Sequence, residues 1–336
     1  MAEHDTGVGT VAGSSPRASG VLTVGEGLGV LRTREIGSLA HLGELAVGTG
    51  GAEGNVAIGL ARLGMAVTWL GRVGDDGLGR RVVRELRAEG VTVVAPVDPT
   101  AATGLLIKES PSAGRTAVTY YRAGSAGSRL RPDDLDVVDI AGFALVHVTG
   151  ITPALSQSAR ASIEAAIDRA ADVGVPVSFD VNHRSALWTD VPGERSAGEV
   201  YRTLAERADI VFAGADEAAL VTGLPSHDPA ALARALAALG PAEVVVKLGD
   251  RGAVALRDDE LTWRPAVPVP VVDTVGAGDA FVAGYLAELL RGSSVAERLD
   301  LAVRTGAAAC LHPGDWEGFP SREELERPDG TDPVSR

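Results

Sequence analysis

DTVGAGDAFVAGYLAEL, residues Asp273–Leu289, places Gly276, Gly278 and two aspartates directly ahead of an apolar run. The run from Ala280 reads as a core-filling helix, so the glycines stand at a helix mouth. Around Gly276, Ala277 and Gly278 the backbone N–H groups have no partner within such a helix and are free to meet an anion. A carboxylate beside that anion, at Asp279, is poor design unless it takes a proton from an attacking hydroxyl. Alternatively, Asp279 caps the helix and the glycines only turn the chain. The whole string favours phosphoryl transfer.

Working outward, short β-branched runs alternate with helical patterns. NVAIGLARLGM sets Val56, Leu60 and Leu63 on one helical face, with Gly64 as its stop. VTWLGRVG, LVHVTG, VPVSFDVN, DIVFAG and EVVVKLG read as strands, and GRRVVRELRAEG, ARASIEAAIDRAADVG and DPAALARALAALG as helices. This rhythm predicts an α/β fold, a doubly wound, mostly parallel sheet flanked by helices, with catalytic groups at the carboxyl ends of the strands. RTREIGSLAHLGELAVG and TGLLIKESPSAGRTAVTYYRAG break the rhythm as hairpin-like stretches, with Pro111 and Gly114 marking a turn. They predict a small β-sheet lid from segments at about 32–50 and 103–124, within one domain over 21–326. The polar ends, 1–20 and 327–336, read as disordered tails.

The 336 residues are 45% hydrophobic and 23% charged, enough for a large core. A net charge of −14 disfavours nucleic acid, which needs a concentrated positive face. No apolar run reaches membrane-spanning length. Cys310 is the only cysteine, which excludes a disulfide within the chain and suits a reducing cytoplasm. Its apolar setting in GAAACL predicts a buried structural thiol. His4, His41, His147, His227 and His312 show no ligand spacing for zinc. A GxxxxGK[ST] loop is missing, and GVGTVA (Gly7–Ala12) has no strand before it to make a dinucleotide fingerprint.

DTVGAGDAF resembles the carboxyl-terminal signature of the ribokinase-like, PfkB-type carbohydrate kinases. GTGGAEGNVAIGLARLGM resembles their amino-terminal signature, and the likeness runs over roughly 21–325. It implies that Asp279 is the catalytic base and that Gly276, Ala277 and Gly278 form the anion hole. YYRAGSAGS, TGITPALS, DVNHRSALW and PGDWEG are similar to 2-keto-3-deoxygluconate kinases within that family. Tyr120 and Arg122 lie two apart on one predicted strand and share a face, while Arg184 follows a strand end. A guanidinium forks onto a carboxylate, which a sugar acid carries and a neutral sugar lacks. Alternatively, each arginine merely pairs with a surface carboxylate. Gly51 would let the sugar lie against backbone, and Asp315 would take a substrate hydroxyl.

The resemblance further implies ATP, with VVVKLGDRGAV beside the nucleotide through Lys247, Gly249 and Gly252, and Asn182 and Arg184 near its phosphates. It implies Mg²⁺ positioned by Glu217, and extends to a monovalent cation such as K⁺ near Asp273. Three positions depart from the pattern: Gly214 stands where Asn is usual, and Leu106 and His183 where Tyr is. The sequence therefore points to a cytoplasmic, ATP-dependent sugar-acid kinase, with exposed lid edges inviting a homo-oligomer. Rival readings are a kinase for fructose, ribose or another neutral sugar, and a catalytically silent sugar-binding regulator.

Overall fold

The computed structural model describes residues 19–112, 115–188 and 195–326. Its strands, in chain order, are β1 (Val21–Val24), β2 (Leu28–Thr33), β3 (Leu45–Gly50), β4 (Val67–Leu70), β5 (Val73–Gly74), β6 (Thr92–Val94), β7 (Val97–Asp98), β8 (Gly104–Ser112), β9 (Arg115–Tyr121), β10 (Leu145–Thr149), β11 (Val177–Asp180), β12 (Ile210–Gly214), β13 (Glu243–Lys247), β14 (Ala253–Arg257) and β15 (Glu260–Arg264). The α-helices are α1 (Ala52–Arg62), α2 (Gly77–Ala88), α3 (Gln157–Asp172), α4 (Ala197–Ala205), α5 (Ala215–Thr222), α6 (Pro229–Ala237), α7 (Ala277–Leu290), α8 (Val295–Ala309) and α9 (Arg322–Glu326).

Nine strands form the large sheet in the order β15-β14-β13-β12-β11-β10-β1-β4-β6. Every pairing from β6 to β13 is parallel, and β14 and β15 close the far edge as an antiparallel pair. Strands β1, β10 and β11 are buried along their whole length, as befits a sheet covered on both faces. One face carries α3 to α6, through Ile163, Val200, Val221 and Leu236; the other carries α1, α2, α7 and α8, through Leu60, Val82, Val282 and Leu299. The order of strand addition switches sides at β1, which is followed by β4 and β6 on one side and then by β10 on the other, all parallel. The carboxyl ends there open a crevice suited to a ligand.

Four strands form the smaller sheet in the order β3-β2-β8-β9, with β2 and β8 parallel and both outer pairs antiparallel. It starts at Leu28, ahead of residue 32, because only Gly25–Gly27 separate β1 from β2. Pro111 lies within β8, next to a register shift between Glu109 and Ser112; Gly114 is outside the described residues. Residues 1–18 and 327–336 are likewise outside them. Ser19 and Gly20 are tied in, since the Ser19 N–H donates to the Gly142 carbonyl and the Ala144 N–H to that of Gly20. Among the described residues no helix is long and apolar enough to cross a membrane.

Candidate active site

Helix α7 is buried on all sides between α1 and α8, and its N-terminus faces the crevice. Gly276 is the N-cap, at φ 79°, and a Cβ there would stand 1.8 Å from the Asp315 carbonyl oxygen. Only glycine fits such a corner. At Gly278 an added Cβ would meet nothing nearer than Lys247 Nζ at 3.8 Å, so open space lies in front of that amide. The Ala277 N–H makes a turn bond to the Thr274 carbonyl at 3.3 Å. The Gly276 and Gly278 N–H groups have no bond to the described residues.

Asp279 does not cap this helix. Its Oδ2 accepts from Asn55 Nδ2 at 2.8 Å and its Oδ1 from Asn182 Nδ2 at 3.2 Å. Burial raises its pKa above the usual carboxylate range, against the opposing pull of the Asn55 hydrogen bond and of Arg184 and Lys247. Asn182 reaches it from just past β11 with φ 40°, a left-handed conformation in which a non-glycine residue is strained. Asn55, on α1, was present in the GTGGAEGN string, but no spacing rule links it to a residue 224 positions away.

A cavity of about 530 Å³ opens between the two sheets and contains Gly51, Tyr120, Arg122, Asn182, Arg184, Glu217, Lys247, Gly249, Gly276, Gly278, Asp279 and Asp315 in its lining. Gly51, at φ 133°, has a backbone reason to be glycine: a Cβ would lie 2.2 Å from the Glu26 carbonyl oxygen. Tyr120 and Arg122 do share this face, with the guanidinium 5.3 Å from the ring centroid. Arg122 is neither on the surface nor free. Both its Nε (2.8 Å) and its Nη2 donate to Glu26 Oε2, and the Ser125 hydroxyl donates to Glu26 Oε1. One side of the fork is thus held by a buried carboxylate, leaving Nη1 unused. Arg184 donates to the His183 carbonyl at 3.0 Å and has no carboxylate partner among the described residues.

Glu53 also lines this cavity. Its Oε1 accepts from the Thr149 and Thr152 hydroxyls at 2.7 and 2.8 Å, and burial pushes its pKa up to about 7. Asp315 is pushed up to about 6 by burial, with Lys108 pulling the other way. At the ends of β11 and β13, Lys247 Nζ donates to both oxygens of Asp180 at 2.7 and 2.8 Å. Glu217 accepts from the Gly214 N–H and, at 2.8 Å, from the His183 N–H. It thereby caps α5 and holds the loop that presents Asn182 and Arg184. Gly214 costs this arrangement nothing, since its backbone does the bonding. The His183 ring turns away onto Tyr201, with Nδ1 3.1 Å from the hydroxyl. Leu106 packs with Leu28, Val30 and Tyr120 as a small apolar floor.

A second cavity, about 510 Å³, shares Lys247, Gly249, Thr274 and Gly278 with the first and lies across the α7 terminus from it. Ala277 and Gly252 line this side, with Val267, Val269, Phe281 and Val303 making most of its walls apolar. Cys310 corrects an expectation: it is half-buried at the end of α8 and borders this cavity, because α8 stops there. Burial raises its pKa, so it is a poor nucleophile. Among the described residues no three His, Cys, Asp or Glu side chains gather as a metal cage. Glu217 is a carboxylate at the cavity wall, and a hard divalent ion held chiefly by phosphates and water needs little more.

The description pfkB family carbohydrate kinase matches residues 22–322. The chain belongs to that family. In this carbohydrate kinase the two signatures seen in the sequence supply the facing walls of one site, α1 and α7. The 2-dehydro-3-deoxygluconokinases of Bacillus subtilis and Thermoproteus tenax are 36% and 37% identical to it, over 90% and 91% of this chain and 93% of each relative. A fructokinase from Klebsiella pneumoniae is 36% identical over 83% of this chain and 91% of its own. The solved structure of a putative ribokinase II from E. coli in complex with ATP and Mg²⁺ superposes with a TM-score of 0.81 at 26% identity, covering 90% of this chain and 96% of that one.

Proposed function

We propose that this kinase transfers the γ-phosphoryl group of ATP to the terminal hydroxyl of 2-keto-3-deoxygluconate. The observation that carries the reading is the place of Asp279. It stands at a helix mouth with free amides, in a cavity lined by arginines, lysines and carboxylates and next to a largely apolar one. The acceptor occupies the first cavity. Its carboxylate meets Arg122 Nη1 and Arg184, and its hydroxyls meet Asp315. Fixing Arg122 through Glu26 removes rotamer freedom before binding, so less is lost when the sugar acid arrives. Tyr120 and Leu106 give an apolar wall to the deoxy part of the chain.

The adenine of ATP fits the second cavity, and the triphosphate lies across Gly249 and Lys247 toward Gly276–Gly278. Asp279 takes the proton of the hydroxyl as its oxygen attacks in line; Asn55 and Asn182 hold both carboxylate oxygens and fix their direction. The Gly276 and Gly278 amides meet the charge that spreads over the transferring group. Glu217 would help hold magnesium, which when bound would supply charge neutralisation to the phosphates. The small sheet acts as a lid that excludes water, a competing acceptor.

The relatives that act on the sugar acid support this substrate, and the arginine pair supports it over fructose, which offers no carboxylate. A panel of acceptors with coupled ADP detection tests it. Faster turnover of fructose than of the keto acid at equal concentration overturns the substrate, and no turnover with any acceptor overturns the kinase.

A further inference from the structure

Lys108 is a cation of the active-site wall that neither signature contains. It sits on β8, an inner strand of the small sheet, in register with Arg32 on β2 and Val118 on β9, and is only 2% exposed. Its Nζ crosses to the other body of the protein. It lies 2.6 Å from Oδ2 of the largely buried Asp273 and 3.5 Å from Oδ1 of the buried Asp315. These belong to the two loops that shape the anion hole. Asp273 Oδ1 accepts from the Val275 N–H at 3.2 Å and Asp273 Oδ2 from the Gly314 N–H at 3.5 Å, while the Asp315 carbonyl confines Gly276. Asp315 Oδ1 has no aligned hydrogen bond among the described residues, so the ammonium is the nearest compensation of its charge.

We propose that Lys108 is a positioning residue of the transfer reaction. Its ammonium fastens the small sheet to Asp273 and Asp315, so the Gly276–Gly278 amides come into register with the acceptor only when the sheet is seated. Two facts of charge require such a group. Asp273, Asp279 and Asp315 crowd a place meant for an anionic phosphoryl group, and without Lys108 the first and last have no cation against them among the described residues. A buried carboxylate left alone is costly and tends to move toward water, carrying its loop with it. The inference rests on the kinase reading of the site but not on the identity of the acceptor.

The test compares Lys108→Met and Lys108→Arg with the unaltered protein, using ATP and whichever sugar or sugar acid the acceptor panel selects. In Lys108→Met, kcat falls about 10²-fold, the effect of a misplaced reacting group, while KM for ATP changes by less than about threefold. Acceptor-independent ATP hydrolysis rises relative to transfer. Lys108→Arg keeps part of the lost turnover. Adding Asp273→Asn to Lys108→Met loses nothing further, because the two act as one unit. The same pair, with both charges gone, is the version to measure if Lys108→Met alone does not fold. Amide exchange gives a separate readout: residues 104–112 and 274–278 gain protection together with both substrates, and Lys108→Met uncouples them. A kcat within about threefold of the unaltered protein, or multiplying effects of the two substitutions, overturns the proposal. Failure of 2-keto-3-deoxygluconate as acceptor overturns only the substrate.

Discussion

Asp279→Asn separates chemistry from binding. The carboxylate accepts one hydrogen bond on each oxygen, from Asn55 and Asn182. An amide preserves the shape, accepts from one of them and turns an NH₂ toward the other, so it loses both the basicity and one hydrogen bond. General-base catalysis contributes about 10²–10⁴-fold, and kcat falls by that order. KM for ATP stays within about threefold, since the second cavity is untouched. Stability moves the other way. Burial raises the folded pKa of Asp279, so the folded protein binds this proton more tightly than the unfolded chain does. The ionised group therefore costs stability increasingly as pH rises above the ordinary carboxylate range. Removing the charge leaves Tm at pH 8 unchanged or higher, a stability gain at the expense of activity. Steady-state kinetics with coupled ADP detection and thermal melting of the same samples give both numbers. Turnover within a few-fold of the unaltered enzyme, or a sharp fall in Tm with the kinetic loss, refutes the base.

Further outcomes follow from the same geometry. Arg122→Ala raises KM for the sugar acid far more than KM for ATP; it also strands buried Glu26 and lowers stability by about 3–5 kcal/mol, which equilibrium unfolding reads. Gly276→Ala forces a Cβ onto the Asp315 carbonyl at a positive φ, and kcat drops at least about 10²-fold in kinetic assays as the amides shift. Glu53→Gln tests the carboxyl held near pH 7: with the folded pKa raised from 4.5, the penalty is absent at pH 4 and complete at pH 8, so the variant gains up to about 3 kcal/mol at pH 8 only, seen by urea unfolding at both values. Cys310 reacts slowly with N-ethylmaleimide, ATP slows it further, and the labelled enzyme loses ATP affinity; labelling unaffected by ATP moves the nucleotide elsewhere.

The strand–helix rhythm carried the architecture, because apolar periodicity is local and each parallel strand announces itself by a short β-branched run. DTVGAGDAF carried the proposed base and the free amides for the same reason, as both lie within one turn of helix. The partners of those groups were not legible. Asn55, Glu26, Glu53, Asp180 and Lys108 are distant along the chain from what they touch, and sequence spacing is silent about contacts made across a sheet. Arg122 shows the limit most plainly: its residue type announced a cation, but only packing revealed that Glu26 already holds half of it. His183 and Leu106, departures in the sequence, are accounted for in space by Tyr201 and by the apolar floor of the small sheet. The sequence by itself determined which chemical groups the protein owns and the elements that bear them. Which of those groups face one another, and which charges remain available to a ligand, only the tertiary structure decided, because burial and pairing are properties of neighbours in space.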